Sequence, residues 1–543
     1  MKRRDFIKHI PLGLAAASVP FSVAGFSGRA FGRSALLDAL LNNQAGSSDR
    51  ILVIINLAGG NDGLNMVIPF TDPKYDANRA NIGFVSSADK ATLTPFQVRP
   101  NLALNPVMGN DFINLYKDGK LAILQNVGYA DPNRSHFRAT DIWNSASDST
   151  TVLSTGWVGR YLQTLVPDDY PLEIGPEDPV GIAISTATTL IYQGERSVMG
   201  VAVSDPSKYA SATSYAADPI PVNNYGTEVS FIRGVLEQSD KYGDRFKTLF
   251  AAPSATTNKV AYPSANPLAM QLQKVAWCIQ AGMTTKVYFV QQGGYDTHVQ
   301  QNSMDPTSGQ GILLKQLAEA ITLFQKDMEL MGVADRVVGM TYSEFGRRVN
   351  QNSTSGTDHG TAAPMFVFGN AVNGNVFGSN PNLSSLDIYG DLVKEFDFRQ
   401  VYSALLGQWF GVDQQLRKGV LNGFDPASLG FAVNASSNNE NVIRDAFVGV
   451  NEAPAATGFI LYQNYPNPVQ NQTTVRFDLA RASHVVLEVF DSRGELISKI
   501  VDAYHPAGPY SVVFDPGKIA NGTYYYRLDA GGMTETKAMT ILR

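Results

Sequence analysis

The chain has 543 residues, of which 44% are hydrophobic and 17% charged, an ordinary globular composition long enough for one large core and at least one small domain. Its net charge of -6 is mildly acidic and no stripe of Lys and Arg runs along it, so nucleic acid is excluded as a predicted partner. The single cysteine, Cys278, excludes intrachain disulfides and multi-cysteine metal sites.

The N-terminus, residues 1–34, is predicted to be an export signal and leader. A basic segment precedes an apolar stretch from Ile10 to about Phe26, which Pro and Gly interrupt. Such a stretch is too short and broken for a stable membrane span. Arg3 and Arg4 resemble the centre of a twin-arginine signal, and a general secretory signal is the alternative. In both cases we expect the protein to leave the cytoplasm and to pass through the periplasm. We expect no transmembrane anchor in the mature chain.

Residues 35–431 are predicted to form one large α/β domain. Short buried runs rich in β-branched and aromatic residues indicate strands, and between two of them an apolar stripe at helical spacing ends before Gly332. This alternation predicts βαβ units and therefore a mostly parallel sheet flanked by helices. Residues 199–270 interrupt it and are interpreted as an insertion beside a site or as a structural excursion. The predicted strands lie at 51–55, 121–124, 287–290, 337–340 and 365–368.

Polar side chains follow the predicted strands at the edge where open α/β sheets bind ligands. Asp62, Ser135, Asp296 and Glu344 each come within about a dozen residues after an apolar run. Since each follows a different strand, four strands are expected to deliver side chains to one crevice.

Three of the six histidines, His136, His298 and His359, lie in compact polar motifs of this region. Imidazole is the commonest metal ligand and the side chain that titrates nearest neutrality, so these motifs favour a site over simple turns. Asp296, His298 and His359 together offer three ligands of the kind that Zn²⁺ requires. Asp358 is expected to orient His359 or to form a turn.

Ser135 is a candidate nucleophile because it precedes a predicted helix. A serine hydroxyl becomes reactive when a metal or a base lowers its effective pKa, and His136 is the candidate base. The alternative is that Ser135 simply caps the helix. Arg347 and Arg134 are predicted to clamp a phosphate or sulfate with paired hydrogen bonds.

The C-terminal part has a different composition. Residues 432–457 are polar, poor in large apolar groups and typical of a linker. In residues 458–543, short alternating runs separated by turns predict a small antiparallel β-sandwich. This module resembles the sorting domain of the type IX secretion system, whose fold is close to an immunoglobulin-like sandwich. That resemblance implies the type IX export machinery as a partner and a secreted or cell-surface location. The motifs that carry it are 464–468 (NYPNP), 489–494 (VFDSRG), 521–526 (NGTYYY) and 537–539 (KAM).

The central region resembles the domain of unknown function 1501 family over about residues 49–430. The motifs that carry this resemblance are 58–63 (AGGNDG), 135–137 (SHF), 156–160 (GWVGR), 294–298 (GYDTH), 343–347 (SEFGR) and 356–360 (GTDHG). The family looks like the alkaline phosphatase and sulfatase superfamily, which implies a divalent metal, Zn or else Mg, Ca or Mn.

Matched by order to that superfamily, Ser135 takes the place of the nucleophile. Phe345 stands where the superfamily has a histidine, so the resemblance implies one metal, or a second held weakly. The residues that the resemblance makes metal ligands are Asp62, Asp296, His298, Glu344 and His359.

The leading hypothesis is an exported metal-dependent hydrolase of phosphate or sulfate esters. Two alternatives stay open at the level of sequence. One is a non-catalytic surface protein that binds a glycan or peptide on the same fold, which Phe345 favours. The other is a transferase that acts on cell-envelope polymers.

Overall fold

The fold is described from a computed structural model. It describes residues 49–424 apart from 168–169, 172–174, 210–219 and 221–223, together with 442–443 and most of 459–542. Ahead of residue 49 it describes one antiparallel hairpin, formed by β1 (Val19–Val23) and β2 (Phe26–Ala30). The rest of the predicted export signal and nearly all of the predicted linker lie outside the described residues.

The large unit is built on one twisted sheet whose strands confirm all five predicted runs. Every side chain of β3 and β6 is buried, as expected for strands covered on both faces. The strands of this unit are β3 (Ile51–Leu57), β4 (Val67–Ile68), β5 (Ala103–Leu104), β6 (Leu121–Gly128), β7 (Gly181–Ala183), β8 (Val201–Ala202), β9 (Val287–Gln292), β10 (Val337–Tyr342), β11 (Ala363–Phe368), β12 (Val376–Phe377) and β13 (Phe396–Asp397).

The sheet order is β12-β6-β11-β10-β3-β9-β7-β8, with β13 also paired to β6. The pairs β10·β3, β3·β9, β9·β7 and β7·β8 are parallel, which confirms a mostly parallel sheet. The exception is β11, which runs antiparallel to both of its neighbours, β10 and β6. The carboxyl ends of β3, β6, β9 and β10 therefore meet at one edge.

Helices cover both faces of this sheet. The predicted amphipathic helix spans Gly309–Leu330, and Leu317, Ile321, Phe324 and Met328 on it are fully buried. The helices are α1 (Gly63–Met66), α2 (Pro73–Asn78), α3 (Ser87–Lys90), α4 (Gly109–Lys117), α5 (His136–Ser145), α6 (Trp157–Gln163), α7 (Asn224–Leu249), α8 (Pro267–Gln280), α9 (Gly309–Leu330), α10 (Phe398–Ala404) and α11 (Gln414–Val420). None of the helices in the described residues has the length and apolar character to span a membrane.

Residues 449–543 form a second compact unit. Its strands form a three-stranded and a four-stranded antiparallel sheet that share one apolar core, so an all-β module is confirmed. The immunoglobulin-like topology stays a prediction. The strands are β14 (Phe459–Leu461), β15 (Thr473–Leu479), β16 (Ser483–Phe490), β17 (Leu496–His505), β18 (Gly508–Phe514), β19 (Gly522–Ala530) and β20 (Met533–Ile541).

Candidate metal centre

The three motif histidines meet at the carboxyl edge of the large sheet. His136 is the first residue of α5, which follows β6, and His298 lies in the loop after β9. His359 lies on a short ribbon between β10 and β11, where its backbone bridges that of Arg347. Three separate segments thus deliver one imidazole each to the edge where ligands bind in open α/β folds.

Asp296, also in the loop after β9, is the point on which these rings converge. Its Oδ1 lies 3.5 Å from Nε2 of His136, 3.1 Å from Nε2 of His298 and 3.2 Å from Nε2 of His359. The Nε2 atoms of His298 and His359 are themselves 2.9 Å apart. The ligand atoms of His136, Asp296 and His359 all lie within 4.8 Å of one another.

The other ring nitrogen of each histidine is held by an acceptor. Nδ1 of His359 donates to the carbonyl oxygen of Arg134 at 2.8 Å. Nδ1 of His136 donates to Glu344 Oε1 at 2.8 Å, and Nδ1 of His298 donates to Asp358 Oδ1 at 2.9 Å. A carbonyl oxygen or a carboxylate accepts and does not donate, so each Nδ1 carries the proton. Each ring consequently directs its Nε2 towards the other members of the cluster.

This arrangement places three ring nitrogens against one carboxylate oxygen. Nε2 of His136 is buried and has no hydrogen-bond partner among the residues that the structure describes. Around a tetrahedral Zn²⁺ with ligands at about 2.0–2.1 Å, neighbouring donor atoms lie roughly 3.3 Å apart. The four distances given above, 2.9 to 3.5 Å, match that spacing. Among the described residues, the group whose ligand atoms all lie within 4.8 Å of one another contains His136, Asp296 and His359 but not His298, which joins it through Asp296 and His359. Histidines that bind a metal through Nε2 almost always donate Nδ1–H to a carboxylate or carbonyl, as all three do here. The donor set therefore fits a divalent cation.

The protonation states of the cluster agree with this fit. Burial lowers the pKa of His359, and Arg347 and His136 lower it further, so the ring stays neutral below the usual range of histidine. Burial raises the pKa of Asp296, but the hydrogen bond and charge of Arg347 outweigh it and hold the carboxyl ionised. The hydrogen bond from His298 lowers the pKa of Asp358. A cation would thus meet a neutral imidazole at His359 and a carboxylate at Asp296.

Arg347 positions Asp296 and is not available as the predicted substrate clamp. Its side chain is fully buried, and Nη2 donates to Asp296 Oδ1. Nε donates to the carbonyl of Gly60 at 2.7 Å, and Nη1 donates to that of Thr357 at 2.8 Å. Nη2 also donates to the carbonyls of Gly59 and Tyr295. All three guanidinium nitrogens are used inside the protein.

Glu344 lies behind His136. It is almost fully buried, and its Oε1 accepts from Nδ1 of His136 and from the backbone N–H of Gly59, at 2.9 Å. The resemblance implied a metal ligand at this position. The structure brings Glu344 to the cluster through His136.

Phe345 forms one wall of the cluster. Its ring centroid lies 4.9 Å from that of His136 and 4.7 Å from that of His359, and its side chain is buried. A Cβ on Gly60, whose φ is +74°, would lie 2.2 Å from this ring, which explains why a glycine precedes Asn61 here. Phe345 thus fills the space beside two of the imidazoles with an apolar ring.

Asp62 is not in the group of close ligand atoms found among the described residues. It caps α1 through Leu64 N, and its other carboxylate oxygen accepts from Arg79 and from Gln301. The Asp62 and Arg79 side chains are both fully buried. Nothing in the local sequence indicated Arg79, which lies 17 positions further along the chain.

Ser135 lies between two residues that contact the cluster. The carbonyl of Arg134 accepts from His359, and the ring of His136 faces Asp296. Ser135 is exposed at the start of α5, and its hydroxyl makes no capping hydrogen bond. The alternative role as a side-chain cap is therefore not observed.

The Arg134 guanidinium, the second predicted clamp, also binds carboxylates of the protein itself. Its Nε donates to Asp391 at 3.0 Å, its Nη2 pairs with Asp391 and Asp387, and it lies 4.6 Å from the ring centre of Tyr389. Sequence reasoning missed these partners because they follow Arg134 by more than 250 positions.

Two family descriptions match parts of the chain. "Protein of unknown function (DUF1501)" matches residues 250–421, and "Secretion system C-terminal sorting domain" matches residues 463–542. The second match indicates a secreted or cell-surface protein that uses the type IX secretion system. None of the curated proteins compared with the chain matches it.

Several solved structures are similar to the chain at low identity. The latent dimeric PorU of Porphyromonas gingivalis is 27% identical over 16% of this chain, with a TM-score of 0.14, and the match spans 9% of that protein's length. The PsFucS1 sulfatase from Pseudoalteromonas sp. is 10% identical over 89% of this chain and 87% of its own, with a TM-score of 0.32. A protein in the alkaline phosphatase superfamily from Vibrio parahaemolyticus is 10% identical over 83% of each chain, with a TM-score of 0.31.

Proposed function

We propose that this protein is an exported, zinc-dependent hydrolase of phosphate or sulfate esters. The observation that carries the proposal is the convergence of three Nε2 atoms on Asp296 Oδ1, while each Nδ1 donates to an oxygen. A neutral imidazole that carries its proton on Nδ1 offers a lone pair at Nε2, so a cation at the centre of the cluster would be bound by all three rings. The ligands would be His136, His298, His359 and Asp296, which adds His136 to the sequence-predicted set.

The chemistry of the donors favours zinc. Three imidazoles and one carboxylate suit Zn²⁺, whereas Mg²⁺, Ca²⁺ and Mn²⁺ prefer sets of oxygen ligands. Phe345 occupies the space beside His136 and His359 and offers no donor. We therefore expect one zinc per chain.

The chain's own residues divide the remaining tasks. When bound, the cation supplies a Lewis acid that polarises an ester oxygen and activates a neighbouring hydroxyl. Ser135 presents an exposed hydroxyl beside the ligand His136, and it is the nucleophile in this proposal. The N–H groups of the first turn of α5 favour an anion at the same end of the helix. Arg347 takes no part in binding the substrate; it holds Asp296 in place through a hydrogen bond inside the protein.

Turnover by the full-length exported chain tests the proposal. Zinc-loaded wild type should hydrolyse members of a panel of phosphate and sulfate monoesters, lose that turnover with a chelator and regain it with zinc. Ser135→Ala should keep its zinc and lose turnover. Ser87→Ala is the matched control, because Ser87 is also an exposed serine at the start of a helix and should behave as wild type.

A binding protein that uses the same metal is the second candidate. The packing of Phe345 against two imidazoles favours it, since an apolar wall removes one position where a second ligand would stand. The turnover experiment separates the two functions. Zinc bound at one per chain, with no serine-dependent hydrolysis across the panel, would exclude the hydrolase and favour the binding protein.

We also propose that export takes two steps, through the twin-arginine or general secretory route and then through the type IX system. The first step rests on Arg3 and Arg4 and the apolar stretch that follows them. Replacing both arginines with lysine and following the chain in cell fractions distinguishes the routes. A twin-arginine signal should lose export, whereas a general secretory signal should retain it.

A further inference from the structure

Four arginines lie in or contact the segments that carry the predicted site residues, and their side chains differ in how many partners they have. Those of Arg79 and Arg347 are fully buried. Arg79 donates to Asp62 and to the carbonyls of Val349 and Arg348. Arg347 donates to Asp296 and four carbonyls. Arg134 pairs with two carboxylates. The fourth arginine is Arg348.

Arg348 has a largely unused guanidinium. Its side chain is 41% exposed, and its closest charged contact joins Nε to Asp391 Oδ1 at 3.9 Å, which is too long for a hydrogen bond. Nε of Arg348 and Oδ1 of Asp391 both lack hydrogen-bond partners within the described part of the chain. An arginine offers five N–H donors, and this one has donors to spare for an anion.

The ribbon between β10 and β11 sets the direction of this side chain. Arg347 bridges His359, and the backbone N–H of Arg348 donates to the carbonyl of Asp358 at 3.0 Å. Arg348 and Asp358 are therefore cross-strand neighbours, on the face opposite to Arg347 and His359. Asp358 accepts the hydrogen bond from Nδ1 of His298, so Arg348 is the cross-strand neighbour of the residue that orients a proposed metal ligand.

We infer that Arg348, and not Arg347 or Arg134, is the residue that binds the anionic group of the substrate. The inference rests on the proposed hydrolase function. Of the four, Arg348 has the most exposed side chain, its guanidinium has no hydrogen bond to the part of the chain that the structure describes, and it neighbours Asp358, which orients His298. Without its charge, an incoming anion would face the exposed carboxylate of Asp358. Arg348 therefore attracts the anion and also offsets this neighbouring negative charge.

Binding of inorganic phosphate and of sulfate to the zinc-loaded full-length chain, measured by calorimetry, tests the inference. Arg348→Met keeps the alkyl stem and should weaken phosphate binding about tenfold. This is the lower end of the range for a hydrogen bond to a charged group, because the side chain is partly exposed. The phosphate affinity of Arg348→Lys should lie between those of wild type and Arg348→Met, because lysine keeps the charge and loses the paired donors. Zinc content should stay at the wild-type value in both variants.

Arg336→Met is the matched control. Arg336 lies just before β10, whereas Arg348 lies after that strand. The Arg336 side chain is 28% exposed, and its Nη1 lies 3.6 Å from Asp49 Oδ2, a weak contact. This variant should bind phosphate as wild type does. In turnover assays, Arg348→Met should raise KM and leave kcat within about twofold, the signature of lost ground-state binding.

Equal phosphate affinity in wild type and Arg348→Met would overturn the inference, and so would equal weakening in Arg336→Met or loss of zinc from Arg348→Met. Absence of phosphate and sulfate binding by wild type would overturn it too. Failure of the proposed function has a different signature, namely zinc-loaded wild type without turnover that depends on Ser135.

Discussion

Substitution of Glu344 distinguishes a metal ligand from a residue that holds a ligand in place. Its Oε1 accepts two partly buried hydrogen bonds, from Nδ1 of His136 and from the N–H of Gly59. Glu344→Gln keeps an acceptor oxygen at that position and removes the charge. Glu344→Ala removes the acceptor and leaves both partly buried donors without this partner.

The two variants should therefore differ in size of effect. Losing a residue that orients a metal-bound histidine lowers metal affinity by about 10–100-fold. Because Glu344 is almost fully buried, we expect about 100-fold for the alanine variant and about tenfold for glutamine. Each buried donor left unpaired costs about 1–3 kcal/mol. Glu344→Ala should thus lower the free energy of unfolding of the zinc-free protein by about 2–5 kcal/mol, and Glu344→Gln by less than about 1 kcal/mol.

Competition titration with a colorimetric chelator gives the zinc affinities, and urea unfolding of the zinc-free protein gives the stabilities. An amide is a poor zinc ligand, so a direct ligand at position 344 would make both variants lose zinc to the same extent. Equal loss in Glu344→Gln and Glu344→Ala would refute the reasoning. It would also restore Glu344 to the ligand set that sequence analysis expected.

Two further predictions concern stability. Asp62→Asn leaves the buried Arg79 without its carboxylate and should lower the free energy of urea unfolding by about 3–5 kcal/mol. Its zinc content should stay at the wild-type value. Loss of zinc from this variant would show that Asp62 is a metal ligand after all. Because burial lowers the pKa of His359, the unfolded chain binds a proton there at higher pH than the folded protein does. The unfolding free energy of the zinc-free protein should therefore fall as the pH drops below about 6.5, the ordinary histidine value, until the lowered pKa is reached. His359→Gln should flatten that slope, and an unchanged slope would contradict the reasoning.

The main sheet was predictable because a strand buried on both faces leaves a strong trace in sequence. The runs at 51–55 and 287–290 consist almost wholly of apolar residues and became β3 and β9. The reversed direction of β11 was not predictable, since a buried apolar run has the same pattern in either direction. The sequence pattern thus predicted which strands are buried and did not predict the direction in which each strand runs.

The site was predictable in its location and less so in its roles. Strand ends and histidine motifs predicted that His298, His359 and Asp296 lie together, and their ligand atoms lie 2.9 to 3.2 Å apart. The orientation of His136 depends on Glu344, 208 positions away, so the sequence indicated a catalytic base and not a ring whose Nε2 faces Asp296. Asp62 was expected to bind metal from the resemblance, and its pairing with Arg79 had no local signal in the sequence. Such roles are set by contacts between distant segments.

Zinc-edge X-ray absorption of the purified full-length chain, combined with metal analysis of single-histidine variants, tests the central claim most directly. The account predicts one zinc per chain with three imidazole nitrogens and one carboxylate oxygen at about 2.0–2.2 Å. Zinc should be lost from His136→Ala, His298→Ala and His359→Ala and kept in His484→Ala, whose exposed ring lies in the C-terminal module. A zinc-free wild type, or His136→Ala that keeps its zinc at full affinity, would contradict the account.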